Sequence, residues 1–149
     1  MKLRTTAALT ALVAASGLAT VVSTAGPASA AGGWHCVRNS DSHDGDPGGI
    51  SGGVARQWKK TDAYANAAFN AKGEHFGLLN ATSTSVTAKL YVEHQPNVFE
   101  LNWELKLPKP PNGGASIAKK DRDLPEGLRV YVVVSIHKRG SCKSPILVS

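Results

Sequence analysis

The chain of 149 residues carries 17 basic and 11 acidic side chains, which give it a formal net charge of +6. No basic run is longer than two residues, so the charge does not indicate a nucleic-acid-binding protein, although it suits an anionic partner. The length allows one small domain with a hydrophobic core and is too short for two.

Residues 1–30 have the three parts of a secretory signal peptide. Lys2 and Arg4 precede a long uncharged apolar stretch, and small residues lead to a cleavage position between Ala30 and Ala31. We therefore expect export to the extracellular space without a membrane anchor. Cleavage of the leader would remove Lys2 and Arg4. The mature chain of 119 residues would then have 15 basic and 11 acidic residues, a net charge of +4.

The cysteines of the chain, Cys36 and Cys142, lie near the two ends of the mature sequence. In an exported protein such a pair predicts a disulfide. Closing a loop of about 100 residues stabilises a fold by up to 4–5 kcal/mol, roughly, in the chain-entropy model. The spacing forms no C-x-x-C motif, so the sequence does not indicate a redox role.

Residues 31–53 are predicted to form a flexible N-terminal segment, because Gly, Asp and Ser dominate residues 39–53. A G-x-S-x-G pattern surrounds Ser51, but the glycines that precede it favour a loop over the nucleophile elbow of a hydrolase. Residues 54–149 are predicted to be the folded domain.

Alternation of apolar and polar residues dominates the rest of the chain. Residues 63–70 suit a strand or a short helix. Further strands are predicted at these positions: 74–80, 86–93, 99–107, 115–118 and 128–136. Several strands without intervening helices predict an all-β fold, a small antiparallel β-sandwich or barrel-like domain closed by one disulfide.

The strand predicted over residues 99–107 has the clearest alternation. One face is polar and consists of Glu100, Asn102, Glu104 and Lys106. The other face, which we expect to be buried, consists of Phe99, Leu101, Trp103, Leu105 and Leu107.

Two segments of the mature chain carry a likeness to a known group: AKGEHFGLLNATSTSVTAKLYV and DLPEGLRVYVVVSIHKRGSC. With the Ala/Thr-rich leader, they make the chain resemble small secreted actinobacterial β-sandwich proteins. In that group an early strand of G-E-x-F type is followed by a late L-P-E-G turn, which opens a long apolar strand that a cysteine closes. The resemblance implies a β-sandwich and export, and it implies no activity.

Asp41, Asp44 and Asp46 are candidate metal ligands, because hard cations such as calcium prefer carboxylates. Their spacing departs from the D-x-D-x-D-G pattern of calcium loops. We therefore interpret the run as a solvated loop and expect neither a metal nor another cofactor.

The candidate catalytic residues are Glu100, Glu104, Arg129 and His137. If the strands that carry them pair, their polar faces bring a carboxylate base, a cation and an imidazole together, which suits phosphodiester cleavage of nuclease type. The alternative, which we favour, is the ordinary alternation of polar residues on an exposed sheet face.

Trp34 and Trp58 lie outside the predicted strands and are candidate binding residues. Exposed indoles stack on sugar rings in carbohydrate-binding sandwiches, whereas core packing is the alternative. We predict a monomeric, secreted, non-enzymatic binding protein, with a cell-envelope polymer or an extracellular protein as partner. The alternatives are a hydrolase inhibitor that presents residues 41–51 or 108–114, and a small nuclease-type hydrolase.

Overall fold

The computed structural model describes residues 33–42, 48–59, 62–121 and 123–149. The predicted leader and its cleavage position, Ala30 and Ala31, lie outside these residues. Among the described residues, no helix is long and apolar enough to cross a membrane. The described strands are β1 (Trp34–Asp41), β2 (Ser51–Trp58), β3 (Tyr64–Asn70), β4 (His75–Ala81), β5 (Val86–Gln95), β6 (Val98–Leu107), β7 (Ser116–Asp121), β8 (Arg129–Ile136), β9 (Gly140–Lys143) and β10 (Leu147–Val148).

The strands form two antiparallel sheets that pack face to face. One sheet has the order β1-β2-β3-β4-β7, and the other has the order β10-β8-β5-β6, with β9 also paired to β8. Alternation of small and branched apolar residues explains the two central strands of the second sheet, β5 and β8. Their inward residues are 0–2% exposed: Val86, Ala88, Leu90, Val92, Val130, Val132, Val134 and Ile136. The predicted antiparallel β-sandwich is confirmed.

Two connections hold the sheets together along one side of the sandwich. Cys36 in β1 and Cys142 in β9 form a disulfide, with their Cα atoms 5.7 Å apart, which confirms the predicted pairing. Ile50 and Val148 exchange two backbone hydrogen bonds of 2.9 and 3.2 Å between the start of β2 and β10. This side is therefore closed by a covalent bond and by a main-chain bridge.

Strand β1 lies within the segment, residues 31–53, that the composition predicted to be flexible. It pairs with β2 along its whole length, although most of its side chains are exposed. Gly53, which suggested a loop, lies in β2, where a Cβ would come within 2.5 Å of the Ala67 carbonyl oxygen of the neighbouring strand. The Ser51 hydroxyl accepts a hydrogen bond of 2.7 Å from the Ala71 N–H. Residues 34–41 are therefore a strand of the first sheet and not a flexible segment.

Strand β6 does not keep one face inward throughout. The register of the β5–β6 ladder shifts at Asn102, which has no partner residue in β5. A one-residue bulge reverses the direction of every side chain beyond it. Trp103 and Leu105 face the core as predicted, but Phe99 and Leu101 lie on the outer face, where Leu101 is 49% exposed.

The buried amide of Asn80 fixes the loop between β4 and β5. Its Nδ2 donates to the carbonyl oxygens of Thr84 and Pro108, at 2.9 and 2.8 Å. Its Oδ1 accepts from the Thr82 N–H and the Thr82 hydroxyl, also at 2.9 and 2.8 Å. Every hydrogen-bonding atom of this side chain is therefore used, and residues 82–84 are tied to the end of β6.

We expect the Asn80→Ala substitution to lower the free energy of unfolding by about 2–3 kcal/mol, because it leaves buried main-chain groups without partners. Urea unfolding followed by circular dichroism measures this loss. Asn66→Ala is the matched control, since Asn66 lies half-buried on the outer face of β3, and we expect it to lose less than about 1 kcal/mol. Equal losses in the two variants would contradict the role of the Asn80 network.

Candidate functional site

An open cleft of about 260 Å³ lies at the end of the sandwich where β1 begins and β8 ends. It is lined by one strand end and three loops: Trp34, Ala63, residues 82–84 and residues 137–139. An adjoining hollow of about 190 Å³ shares several of these residues and extends to Trp58. We call the two together the end cleft.

Trp34 and Trp58 form one wall of the end cleft. They are paired residues of β1 and β2, and their ring centroids lie 5.3 Å apart at an interplanar angle of 59°. The Lys59 N–H donates to the Gly33 carbonyl at 2.9 Å, and the Trp58 N–H donates to the Ala63 carbonyl at 3.0 Å. The structure therefore brings both predicted binding residues together at the ends of strands and beside a concave surface. Trp34 is only 9% exposed and packs in the core, as the alternative interpretation expected, whereas Trp58 is half-buried.

Gly33 permits the close approach of the Trp58 ring. Its φ of +106° lies in the region that favours glycine, and a Cβ at this position would lie 2.9 Å from the indole. The position of the Trp58 ring thus depends on the missing side chain of Gly33.

The opposite wall of the end cleft is polar. Residues 82–84 contribute hydroxyl groups, and the Asn80 network holds this loop in place. The His137 N–H donates to the Ser85 carbonyl at 3.1 Å, so the turn between β8 and β9 is fixed against the same loop. The wall is therefore built by two connected loops.

Lys138 and Arg139 give the end cleft a positive charge. Neither forms an ion pair with any carboxylate that the structure describes. The lining residues of the cleft include no Asp or Glu. Two cations beside indoles and hydroxyls favour a ligand that carries both an anionic group and a sugar-like ring.

The candidate catalytic residues do not converge. Arg129 and His137 lie at opposite ends of β8, roughly 25 Å apart at about 3.3 Å per residue. Glu100 and Glu104 lie on β6, which β5 separates from β8. His137 lines the end cleft, and the other three residues do not.

Local ion pairs engage the charged groups on the outer face of the second sheet. Glu104 lies 2.5 Å from the Lys106 ammonium and 3.4 Å from that of Lys89, and Arg129 lies 2.9 Å from Glu93. The hydrogen bond from Lys106 lowers the pKa of Glu104. A carboxylate with a lowered pKa is a weak general base, so this geometry does not favour the nuclease hypothesis.

The acidic run that was a candidate calcium site is only partly described. Asp41 is exposed at the end of β1, while Asp44 and Asp46 lie outside the described residues. Within the described ranges, no three His, Cys, Asp or Glu side chains are grouped so as to hold a metal ion.

The bulge in β6 creates a second surface, which the sequence pattern did not predict. We call it the outer-face patch: Tyr91, Phe99, Leu101 and Tyr131. The rings of Tyr91 and Tyr131 stack with centroids 4.7 Å apart, and Phe99 lies 5.0 Å from Tyr131 at a tilt of 55°. The Lys143 ammonium lies 3.6 Å from the Tyr131 ring centroid. Neighbours therefore cover much of the Tyr131 ring, whereas Leu101 at the border of the patch is 49% exposed.

No protein-family model matches the chain, and no curated protein or solved structure is significantly similar to it. The resemblance to small secreted actinobacterial β-sandwich proteins therefore stays an expectation from the sequence. The geometry of the end cleft is the basis for a functional conclusion.

We expect Gly33→Ala to displace the Trp58 ring and to lower the free energy of unfolding by about 1–3 kcal/mol. Near-ultraviolet circular dichroism and urea unfolding measure the two effects. Gly48→Ala is the control, because Gly48 has a similar φ of +97° but no atom within 4 Å of an added Cβ. If both variants keep the same tryptophan signal, Gly33 does not set the position of the ring.

Proposed function

We propose that this chain is an exported, non-enzymatic protein that binds an anionic cell-envelope polymer in the end cleft. The observation that carries the proposal is that the paired indoles of Trp34 and Trp58 share one open cleft with Lys138 and Arg139, two cations that form no ion pair with a described carboxylate. Trp34, Trp58 and the consecutive pair Lys138 and Arg139 come from three separate segments of the chain, and the fold brings them together.

A polymer of sugar units with phosphate or carboxylate groups matches each part of the lining. The C–H face of a sugar ring packs against the half-buried indole of Trp58, and sugar hydroxyls hydrogen-bond with the side chains of Ser83 and Thr84. Charge-assisted hydrogen bonds from Lys138 and Arg139 hold the anionic groups. The cleft is open to solvent, which suits a segment of a long chain better than an enclosed small molecule.

The lining supports binding rather than cleavage. Hydrolysis of a glycosidic or phosphodiester bond needs an acid and a base on either side of the reacting atom. His137 lines the cleft, but none of the described lining residues is a carboxylate, and Arg129 lies at the far end of β8.

Two observations support export. The N-terminal residues have the pattern of a signal peptide. The Cys36–Cys142 disulfide is typical of proteins that fold in an oxidising compartment. An extracellular location places the end cleft where envelope polymers are found.

We expect the double substitution Lys138→Glu and Arg139→Glu to weaken binding to isolated bacterial cell walls at least tenfold, because it replaces both cleft cations by acids. Cosedimentation at several protein concentrations measures the affinity. Chemical removal of the anionic polymers from the same walls is expected to abolish binding of the unmodified protein.

The control is Lys119→Glu with Lys120→Glu, which changes the net charge equally on β7, at the edge of the first sheet. Leu101→Glu in the outer-face patch is a second control, and we expect both to retain binding. Equal losses in the two double variants would show that net charge and not the end cleft is responsible, and the proposal would be wrong.

A further inference from the structure

Arg56 is a buried cation that lies against the disulfide. It is in β2, opposite Cys36 in β1, and only 2% of its surface is exposed. Its Nη1 donates to the Cys142 Sγ at 3.5 Å and lies 3.9 Å from the Cys36 Sγ. A Cβ at Gly140 in β9 would lie 3.0 Å from its Nη2, so the hairpin that carries Cys142 passes directly over the guanidinium.

No described carboxylate compensates the charge of Arg56. None of the ion pairs among the described residues includes it, and its Nε has no hydrogen-bond partner. Burial lowers the pKa of Arg56, but a guanidinium stays protonated in proteins. The disulfide sulfurs are weak, uncharged acceptors, so the oxidised protein keeps a poorly compensated positive charge in its interior.

The two cysteines of the disulfide differ in exposure. Cys142 is buried at 3% exposure, whereas Cys36 is half-buried. An incoming thiolate therefore reaches Cys36 more easily, and Cys142 is the sulfur that leaves. A leaving thiolate departs faster and is more stable when a cation lies beside it.

We propose that the Cys36–Cys142 disulfide is a reducible site that exchanges with an external dithiol, with Cys142 leaving as a thiolate paired to Arg56. A disulfide that only stabilises the fold does not need a cation beside it, because a buried apolar residue in place of Arg56 would pack against the sulfurs as well.

The exchange takes place in two balanced steps. A thiolate of the dithiol attacks the Cys36 sulfur, the bond between Cys36 and Cys142 breaks, and its electron pair stays on Cys142 beside Arg56. The second thiol of the reductant, as its thiolate, then attacks the reductant sulfur that is bonded to Cys36. Cys36 leaves and takes up a proton, and the dithiol departs as a disulfide, so two electrons pass from the reductant to the protein.

We expect Arg56→Met to lower the equilibrium constant for reduction by dithiothreitol at least tenfold, a shift of about 30 mV for a two-electron couple. Thiol trapping in buffers of graded dithiol-to-disulfide ratio measures the constant. Arg129→Met, which removes an exposed arginine, is the control and is expected to leave the constant unchanged. An Arg56→Met protein that is reduced as readily as the unmodified one overturns the proposal.

A second measurement keeps Arg56 and replaces one cysteine at a time, and it is made on variants whose circular dichroism in native buffer matches that of the unmodified protein. In Cys36→Ser the thiol of Cys142 remains alone beside Arg56, and in Cys142→Ser the thiol of Cys36 remains. Thiolate absorbance near 240 nm is expected to appear at lower pH for Cys36→Ser than for Cys142→Ser, and at lower pH than in urea. If the Cys142 thiol ionises in native buffer as it does in urea, or later, the guanidinium does not stabilise its thiolate and the proposal is wrong.

Discussion

The covalent joining of β1 to β9 is the constraint on which the rest of the structure depends. Strand β1 buries little apolar surface, so hydrophobic burial alone does not hold it in place. Its backbone pairing with β2 and the bond from Cys36 to Cys142 fix its position. Trp34 begins this strand, and Arg56 packs beneath its disulfide. The end cleft and the buried cation therefore both depend on an edge strand in which only Trp34 is buried.

Much of the fold could be predicted from the sequence, because its central strands bury one face completely. In β5 and β8 the inward residues alternate with polar ones over seven residues or more, and no helix satisfies that period. Two cysteines allow only one intramolecular pairing. Strand β1 could not be recognised in this way, because a strand with exposed side chains on both faces has no alternation. Strand β2 was also missed at its start, because its glycines resemble those of a turn. In the structure they allow the close approach of the neighbouring backbones.

The candidate site was predictable only in part. Trp34 and Trp58 were recognised as binding candidates by their residue type, yet the cleft beside them also needs residues 82–84 and 137–139, which no local pattern connects. Alternation predicted the face of the sheet on which Arg129 and Glu104 lie, but it did not predict how far apart they lie on that face. The candidate catalytic side chains therefore do not meet as the nuclease hypothesis required. The bulge at Asn102 could not be predicted for a related reason. The alternation of apolar and polar residues continues through it, although the bulge turns Phe99 from the core to the outer face.

The joined cysteines are 106 residues apart in the sequence, so the disulfide can close only when most of the chain has been made. Synthesis proceeds from the N-terminus, so Cys36 is made long before Cys142 leaves the ribosome. Contacts so distant along the chain form slowly. Until residues 140–143 have been made, Cys36 is a lone thiol on the strand that forms one edge of the first sheet. Closure of the disulfide is consequently a late event in the formation of this protein.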